Sequence, residues 1–220
     1  MIKIAPSTNP ENEDNLINYV KVLESANADY LHCDVMDGVF VENKCLSYQK
    51  LIEVSQNSTI ALDVHLMVDN PIQVWQNYAK CKPTILTVHF ESFKNPANLV
   101  YLLKEIKNKG IMVGLSIKPK TKIIQIEPYL PLVDLVLIMS VEPGKSGQTF
   151  IDNSLNKIAE LKNVITARDY NIKIEVDGGV NEFNVKPIYE AGANIVVMGN
   201  ACYKAENKAE FIKKIKELTK

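Results

Sequence analysis

Short apolar runs alternate with longer amphipathic ones along the whole chain. Runs that read as buried strands fall at 2–6, 29–36, 59–67, 84–90, 111–117, 133–140, 172–177 and 194–199. Apolar positions recur with helical spacing at 11–26, 46–55, 71–80, 95–109, 121–130, 152–169, 181–191 and 205–219. An eightfold strand-then-helix alternation predicts an all-parallel sheet with helical crossovers. Eight such units in 220 residues fit a closed (β/α)8 TIM barrel, one catalytic domain spanning 1–220. No glycine-rich G-x-G-x-x-G follows the first strand, which weakens an open dinucleotide-binding sheet. Asn70-Pro71 reads as a cap followed by a proline helix start, and Gly110 and Gly192 read as helix stops.

Strand parity sorts side chains between the helices and the barrel interior. In 111–117, Ile111, Val113, Leu115 and Ile117 face the helices, while Met112, Gly114 and Ser116 face inward. The same parity turns His32 and Asp34 inward together, likewise Asp63 with His65, and Glu175 with Asp177. Cys33 points the other way, towards a covering helix.

A formal net charge of −1 argues against broad nucleic-acid or membrane binding, so an anionic ligand needs local contacts. No run approaches the length of a transmembrane helix, and Met1 to Pro6 turns polar too quickly for a signal peptide. Cys33, Cys45, Cys81 and Cys202 form no zinc-ribbon spacing and read as free thiols in a reducing cytoplasm. A homo-oligomer is compatible with this composition.

A parallel barrel carries function at the C-terminal ends of its strands, where His32, Asp34, His65 and Asp177 lie. Each alone could be a core or turn residue. Together they form a plausible divalent-metal set, because buried carboxylates without a cation are costly. Zinc is the first choice, with iron(II), manganese or cobalt as alternatives, since ligand type does not settle the metal. His89 reads as a pocket wall rather than a further ligand, and Asp63 and Glu175 lie one layer below. They orient the ligands or pair with each other. Gly144 to Gly147 (with Lys145 and Ser146), Gly178-Gly179 and Gly199-Asn200 follow the last three strands. Backbone N–H groups in such loops hold phosphate.

Four motifs in order then resemble the ribulose-phosphate 3-epimerase family: His32 to Gly38, Leu62 to Val68, Met139 to Gly144, and Glu175 to Val180. Ala5-Pro6-Ser7 and Gly147 to Phe150 extend the match. The resemblance implies a metal-dependent barrel interconverting D-ribulose 5-phosphate and D-xylulose 5-phosphate. His32, Asp34, His65 and Asp177 would bind the metal, and Asp34 and Asp177 would also exchange the proton. Ser7, His65, Asp177 and the three glycine loops would contact substrate. Met36, Met67 and Met139 would form an apolar collar, or simply fill the core.

The chain departs from the family pattern where Gly-Phe-Gly-Gly is usual and Gly144-Lys145-Ser146-Gly147 stands. Asn200 replaces a usual serine and Glu42 a usual proline. These changes touch the phosphate end and leave the proposed acid–base set intact. Loop 141–151 has the glycines to close over substrate. Three other readings stay open: the same chemistry on a hexulose phosphate such as D-allulose 6-phosphate, a phosphate-binding lyase or decarboxylase barrel, and a non-catalytic binding protein.

Overall fold

Eight of the expected apolar runs form parallel strands with helices outside them. The computed structural model describes all 220 residues, Met1–Lys220. In chain order the elements are β1 (Lys3–Pro6), α1 (Leu16–Ser25), β2 (Leu31–Asp37), β3 (Lys44–Cys45), α2 (Tyr48–Asn57) and β4 (Leu62–Met67). Then come α3 (Pro71–Ala79), β5 (Ile85–His89), α4 (Pro96–Asn108), β6 (Met112–Ile117), α5 (Ile123–Ile126) and β7 (Leu135–Met139). The chain ends with α6 (Ser154–Ala167), β8 (Lys173–Asp177), α7 (Val185–Glu190), β9 (Ile195–Met198), α8 (Asn200–Lys204) and α9 (Lys208–Glu217).

The strand order is β1-β9-β8-β7-β6-β5-β4-β2-β3. All neighbours are parallel except β2 and β3, where Met36 and Asp37 pair antiparallel with Cys45 and Lys44. That small hairpin was not expected from the sequence. A parallel bridge between Ser7 and His32 closes the cylinder at the β1–β2 seam. Backbone bonds support the seam, from Thr8 N to His32 O at 2.9 Å and from Asp29 N to Ile4 O at 3.1 Å.

Parity holds as read. Ile111, Val113, Leu115, Ile117 and Cys33 lie in the buried layer between sheet and helices. Inside the cylinder, Leu135, Leu137 and Met139 of β7 pack with Ala5, Ile195 and Val197. The opposite wall is polar: His32, Asp63, His65, Thr87, His89 and Ser116 are all buried. Register aligns Asp34 with His65 and His32 with Asp63 across β2 and β4, and Met139 with Asp177 across β7 and β8.

Several helix boundaries differ from the expectation, for local reasons. The run 121–130 yields only the short α5, followed by a 3-10 helix over Glu127–Leu132. Pro128 and Pro131 lack the N–H groups that an α-helix needs there. The run 205–219 loses its first residues to a turn, and α8 starts directly after β9. The run 11–26 becomes helical only at Leu16, after a turn held by Asn15 N donating to Asn12 Oδ1 at 3.0 Å. The run 181–191 shortens to α7. Pro71 does start α3, but the Asn70 side chain makes no capping bond. At α4, by contrast, Asn95 accepts from Ala97 N at 2.9 Å ahead of Pro96. No helix is long and apolar enough to cross a membrane.

At the N-terminal end of the strands one device recurs. A polar residue just ahead of a strand accepts the backbone N–H of the neighbouring strand. Asp29 takes Ile4 N at 3.0 Å, Asp134 takes Val113 N at 2.9 Å, and Asn194 takes Ile174 N at 2.8 Å. Asp29 also pairs with Lys3 and Lys216, each at 2.8 Å, tying the first strand to the last helix. Burial would raise the Asp29 carboxyl, but these donors outweigh it and hold it below the usual range.

Candidate functional site

At the opposite end, a cavity of about 260 Å³ opens among the strand C-termini. Asp34 and Asp177 line it, together with Ser7, Met36, Met67 and Met139. His32 and His65 sit directly beneath and are fully buried. Ligand atoms of His32, Asp34, His65 and Asp177 all lie within 4.8 Å of one another. These four come from β2, β4 and β8, as strand parity requires. His65, expected also to touch substrate, does not line the cavity.

The protons around the two imidazoles decide what the cluster can bind. His32 Nδ1 lies 2.5 Å from Asp63 Oδ2, so Asp63 accepts from the Nδ1–H and Nε2 is left over. Nε2 has no hydrogen-bond partner and lies 3.3 Å from Asp34 Oδ1. His65 Nδ1 approaches the same oxygen at 3.2 Å. Asp34 Oδ2 accepts from the Ser7 hydroxyl at 2.8 Å. Ser7, expected to hydrogen-bond substrate, thus holds the aspartate first. The Asp177 carboxylate makes no protein hydrogen bond. Its carbonyl accepts from Ser140 N at 2.8 Å, which anchors the end of β8. Two imidazoles and two carboxylates converge with few donors between them, a donor set that suits a divalent cation.

The electrostatics are uneven. Burial raises the Asp34 carboxyl, but the His32 charge and the closeness of both imidazoles outweigh it and hold it well below the usual range. Burial, with the Asp34 charge added, pushes Asp177 up to about 7. Burial alone would depress His32, yet Asp63 and Asp34 raise it well above its ordinary value. His65 is lowered by burial, which Asp34 only partly offsets. Below the cluster, Glu175 is fully buried, and neither oxygen has a partner. Burial and the Asp63 charge push its carboxyl well above the usual range.

His89, expected as a pocket wall, does not line the cavity; it lies buried behind His65. Its Nε2 lies 2.9 Å from His65 Nε2, and its Nδ1 lies 3.1 Å from Glu91 Oε2. Burial lowers His89 to about 4 despite Glu91. Burial raises Glu91, but bonds from His89, Thr121 and the Lys118 amide outweigh it and bring it to about 2. Glu91 lies in the 3-10 turn Phe90–Ser92 after β5 and carried no motif signal in the sequence.

The glycine loops form the far wall. Gly144, Lys145, Ser146, Gly147, Gly178 and Gly179 line the cavity, as do Gly199 and Asn200. Gly179 has φ +67°, and a Cβ there would strike the backbone N of Phe150. Gly144 has φ +102°, and a Cβ would meet Val41 at 2.6 Å. The Gly144 carbonyl accepts from Asn43 Nδ2 at 2.7 Å, so the loops after β2 and β7 touch. Ser146, in a usually glycine position, is not in the left-handed region. Lys204, at the end of α8, also lines the cavity. Sequence reading missed it, because its place depends on the helix that starts at Asn200.

Comparison with known proteins fits this geometry. A model of the ribulose-phosphate 3 epimerase family matches residues 3–203. The chain is 39% identical over 208 residues to a ribulose-phosphate 3-epimerase of Helicobacter pylori, covering 94% of this chain and 93% of that one. It is 37% identical over 217 residues to the Bacillus subtilis enzyme of that name, covering 98% and 99%. A chloroplastic ribulose-5-phosphate-3-epimerase of Arabidopsis thaliana is 39% identical over 215 residues, 98% of this chain and 76% of that one. Among solved structures, a 3-hexulose-6-phosphate synthase superposes with a TM-score of 0.75 at 13% identity, over 100% of both chains. A phosphoribosylanthranilate isomerase from Thermotoga maritima gives 0.63 at 14%, over 100% and 98%. These two likenesses show a TIM-barrel fold and nothing finer.

Proposed function

The chain belongs to the ribulose-phosphate 3-epimerase family, and from that premise we propose that Asp34 and Asp177 transfer the proton between D-ribulose 5-phosphate and D-xylulose 5-phosphate. The family makes it an isomerase of the pentose phosphate pathway. Inverting carbon 3 removes a proton beside a ketone and returns one on the opposite face. That requires one ionised group and one protonated group on either side of the sugar. Asp34 on β2 and Asp177 on β8 stand on separate strands and both line the cavity. With the protein's charges alone, Asp34 is held ionised while Asp177 sits at about 7. Such a pair titrates as a unit. The aspartate that starts as base depends on the epimer bound.

His32 Nε2, Asp34, His65 Nδ1 and Asp177 would hold one divalent cation, zinc first among iron(II), manganese and cobalt. When bound, it supplies positive charge for the oxygens that become anionic as the proton leaves. Ser7 keeps Asp34 oriented, and Met36, Met67 and Met139 keep water from the reacting carbon. The glycine loops offer backbone N–H groups to the phosphate, with Lys145 and Lys204 as local cations. Four free cysteines fit a reducing compartment such as the cytoplasm.

The observation that carries this reading is the convergence of four donors at the floor of one cavity. The test is a coupled assay with D-ribulose 5-phosphate on chelator-stripped protein and on protein restored with zinc or iron(II). Activity lost on stripping and regained on restoration supports it. Full activity in stripped protein, or a large kcat/KM preference for a hexulose 6-phosphate, would overturn it.

A further inference from the structure

The hydrogen bonds behind His65 form a chain with a direction. It ends at Glu91, whose Oε1 accepts from the Lys118 backbone N–H at 2.8 Å and from the Thr121 hydroxyl. With Oε1 occupied by two donors, the other oxygen, Oε2, faces His89 Nδ1 at 3.1 Å. An ionised carboxylate only accepts, so the proton of that bond lies on His89 Nδ1. A neutral imidazole carries one N–H. His89 Nε2 is therefore bare. The 2.9 Å contact between His89 Nε2 and His65 Nε2 then needs its proton on His65 Nε2. That leaves His65 Nδ1 bare, 3.2 Å from Asp34 Oδ1.

From this chain we infer that His89 and Glu91 are positioning residues, which fix His65 in the tautomer that turns a lone pair towards Asp34 and Asp177. The role rests on the reading that these four residues bind a divalent cation. Asp63 does the same for His32 from the other side, at 2.5 Å. The two supports differ in reach. His32 meets its carboxylate directly, whereas His65 is linked to Glu91 through a second imidazole. The link is sealed from water. His89 is fully buried, the Phe40 ring packs 4.7 Å from it, and Lys118 Nζ lies 4.1 Å over that ring. No competing donor or acceptor reaches either nitrogen of His89 beyond those named.

The chain holds only three histidines, so every imidazole can be followed by nitrogen-resolved NMR of 15N-histidine-labelled protein. In metal-free wild-type protein, His89 is expected as the Nδ1–H tautomer and His65 as Nε2–H. His89→Leu removes the acceptor and should release His65 into a mixture of tautomers. It should also weaken Zn2+ and Co2+ binding by about 10–100-fold in chelator competition. His89→Gln keeps an amide oxygen near the Nε2 position and should restore affinity to within a few-fold. A residue that merely filled space would not distinguish leucine from glutamine in this way. Wild-type His89 protonated on Nε2 would overturn the inference without any variant having to fold. So would unchanged metal affinity in a folded His89→Leu protein. Failure of wild-type protein to bind either metal would overturn the metal-site reading and this role together. Binding with the opposite tautomer would overturn this role alone.

Discussion

At the bottom of the barrel Asp29, Asp134 and Asn194 each have donors, while at its mouth the acceptors mostly face one another. Asp29 gathers two lysines and a backbone N–H, and its carboxyl is held low. Asp177 has no protein donor for its side chain, and its carboxyl is pushed to about 7. Both are aspartates at the ends of parallel strands. The difference lies in what surrounds them, not in residue type. Saturated acceptors stabilise a fold. Unsaturated ones raise its free energy and leave a place for a cation or a substrate proton.

The largest effect should come from removing an unsaturated acceptor. Asp177→Asn is expected to lower kcat by about 10³-fold, with circular dichroism and thermal midpoint near those of the wild type. Most activity surviving would remove Asp177 from the acid–base pair. At the bottom the expectation reverses. Asp29→Ala should leave kcat unchanged and lower the unfolding free energy by about 2 kcal/mol at pH 7, because Ile4 N–H loses its acceptor. The folded-state carboxyl is depressed, so its stabilisation is present above the unfolded value. It is lost as pH falls through the depressed value. Urea unfolding at pH 7 and at pH 3 should therefore show the gap between wild type and Asp29→Ala narrowing in acid. A constant gap would mean that the lost contacts are not ionic.

Lys204→Ala should raise KM about 10-fold with kcat nearly unchanged, since a phosphate contact binds substrate and transition state alike. A change in kcat alone would place Lys204 elsewhere in the reaction. The smallest effect belongs to Asn194→Ala, about 1 kcal/mol of stability for a single neutral acceptor and no change in steady-state kinetics. Activity loss in that variant without destabilisation would break the division between the two ends.

Much of the mouth was legible in the sequence because strand parity is a strict rule. His32, Asp34, His65 and Asp177 follow from counting alternate residues, and the parallel register sets Asp34 beside His65, with ligand atoms of all four within 4.8 Å of one another. His89 also pointed inward, but nothing in a linear pattern says that its ring meets His65 Nε2. Glu91 lies past the end of β5, where alternation has ceased and the chain turns in a 3-10 coil. Lys204 depends on the orientation of a five-residue helix. The bottom was less legible. Asp29, Asp134 and Asn194 fell within the expected strand runs but lie just ahead of the strands, and nothing in a linear pattern says that each accepts a neighbouring strand's N–H. Helix boundaries failed where proline or a capping turn overrode the apolar spacing, as at Pro128 and Pro131.

The bridge that shuts the β1–β2 seam joins Ser7 to His32, and the hydroxyl of Ser7 also grips Asp34. The clasp of the cylinder and the proposed metal site thus share residues. An intermediate with its sheet still unrolled would contain every residue of the proposed centre and no assembled site. Gain of activity on refolding should mark the moment when the two margins of the sheet meet, later than the appearance of helix.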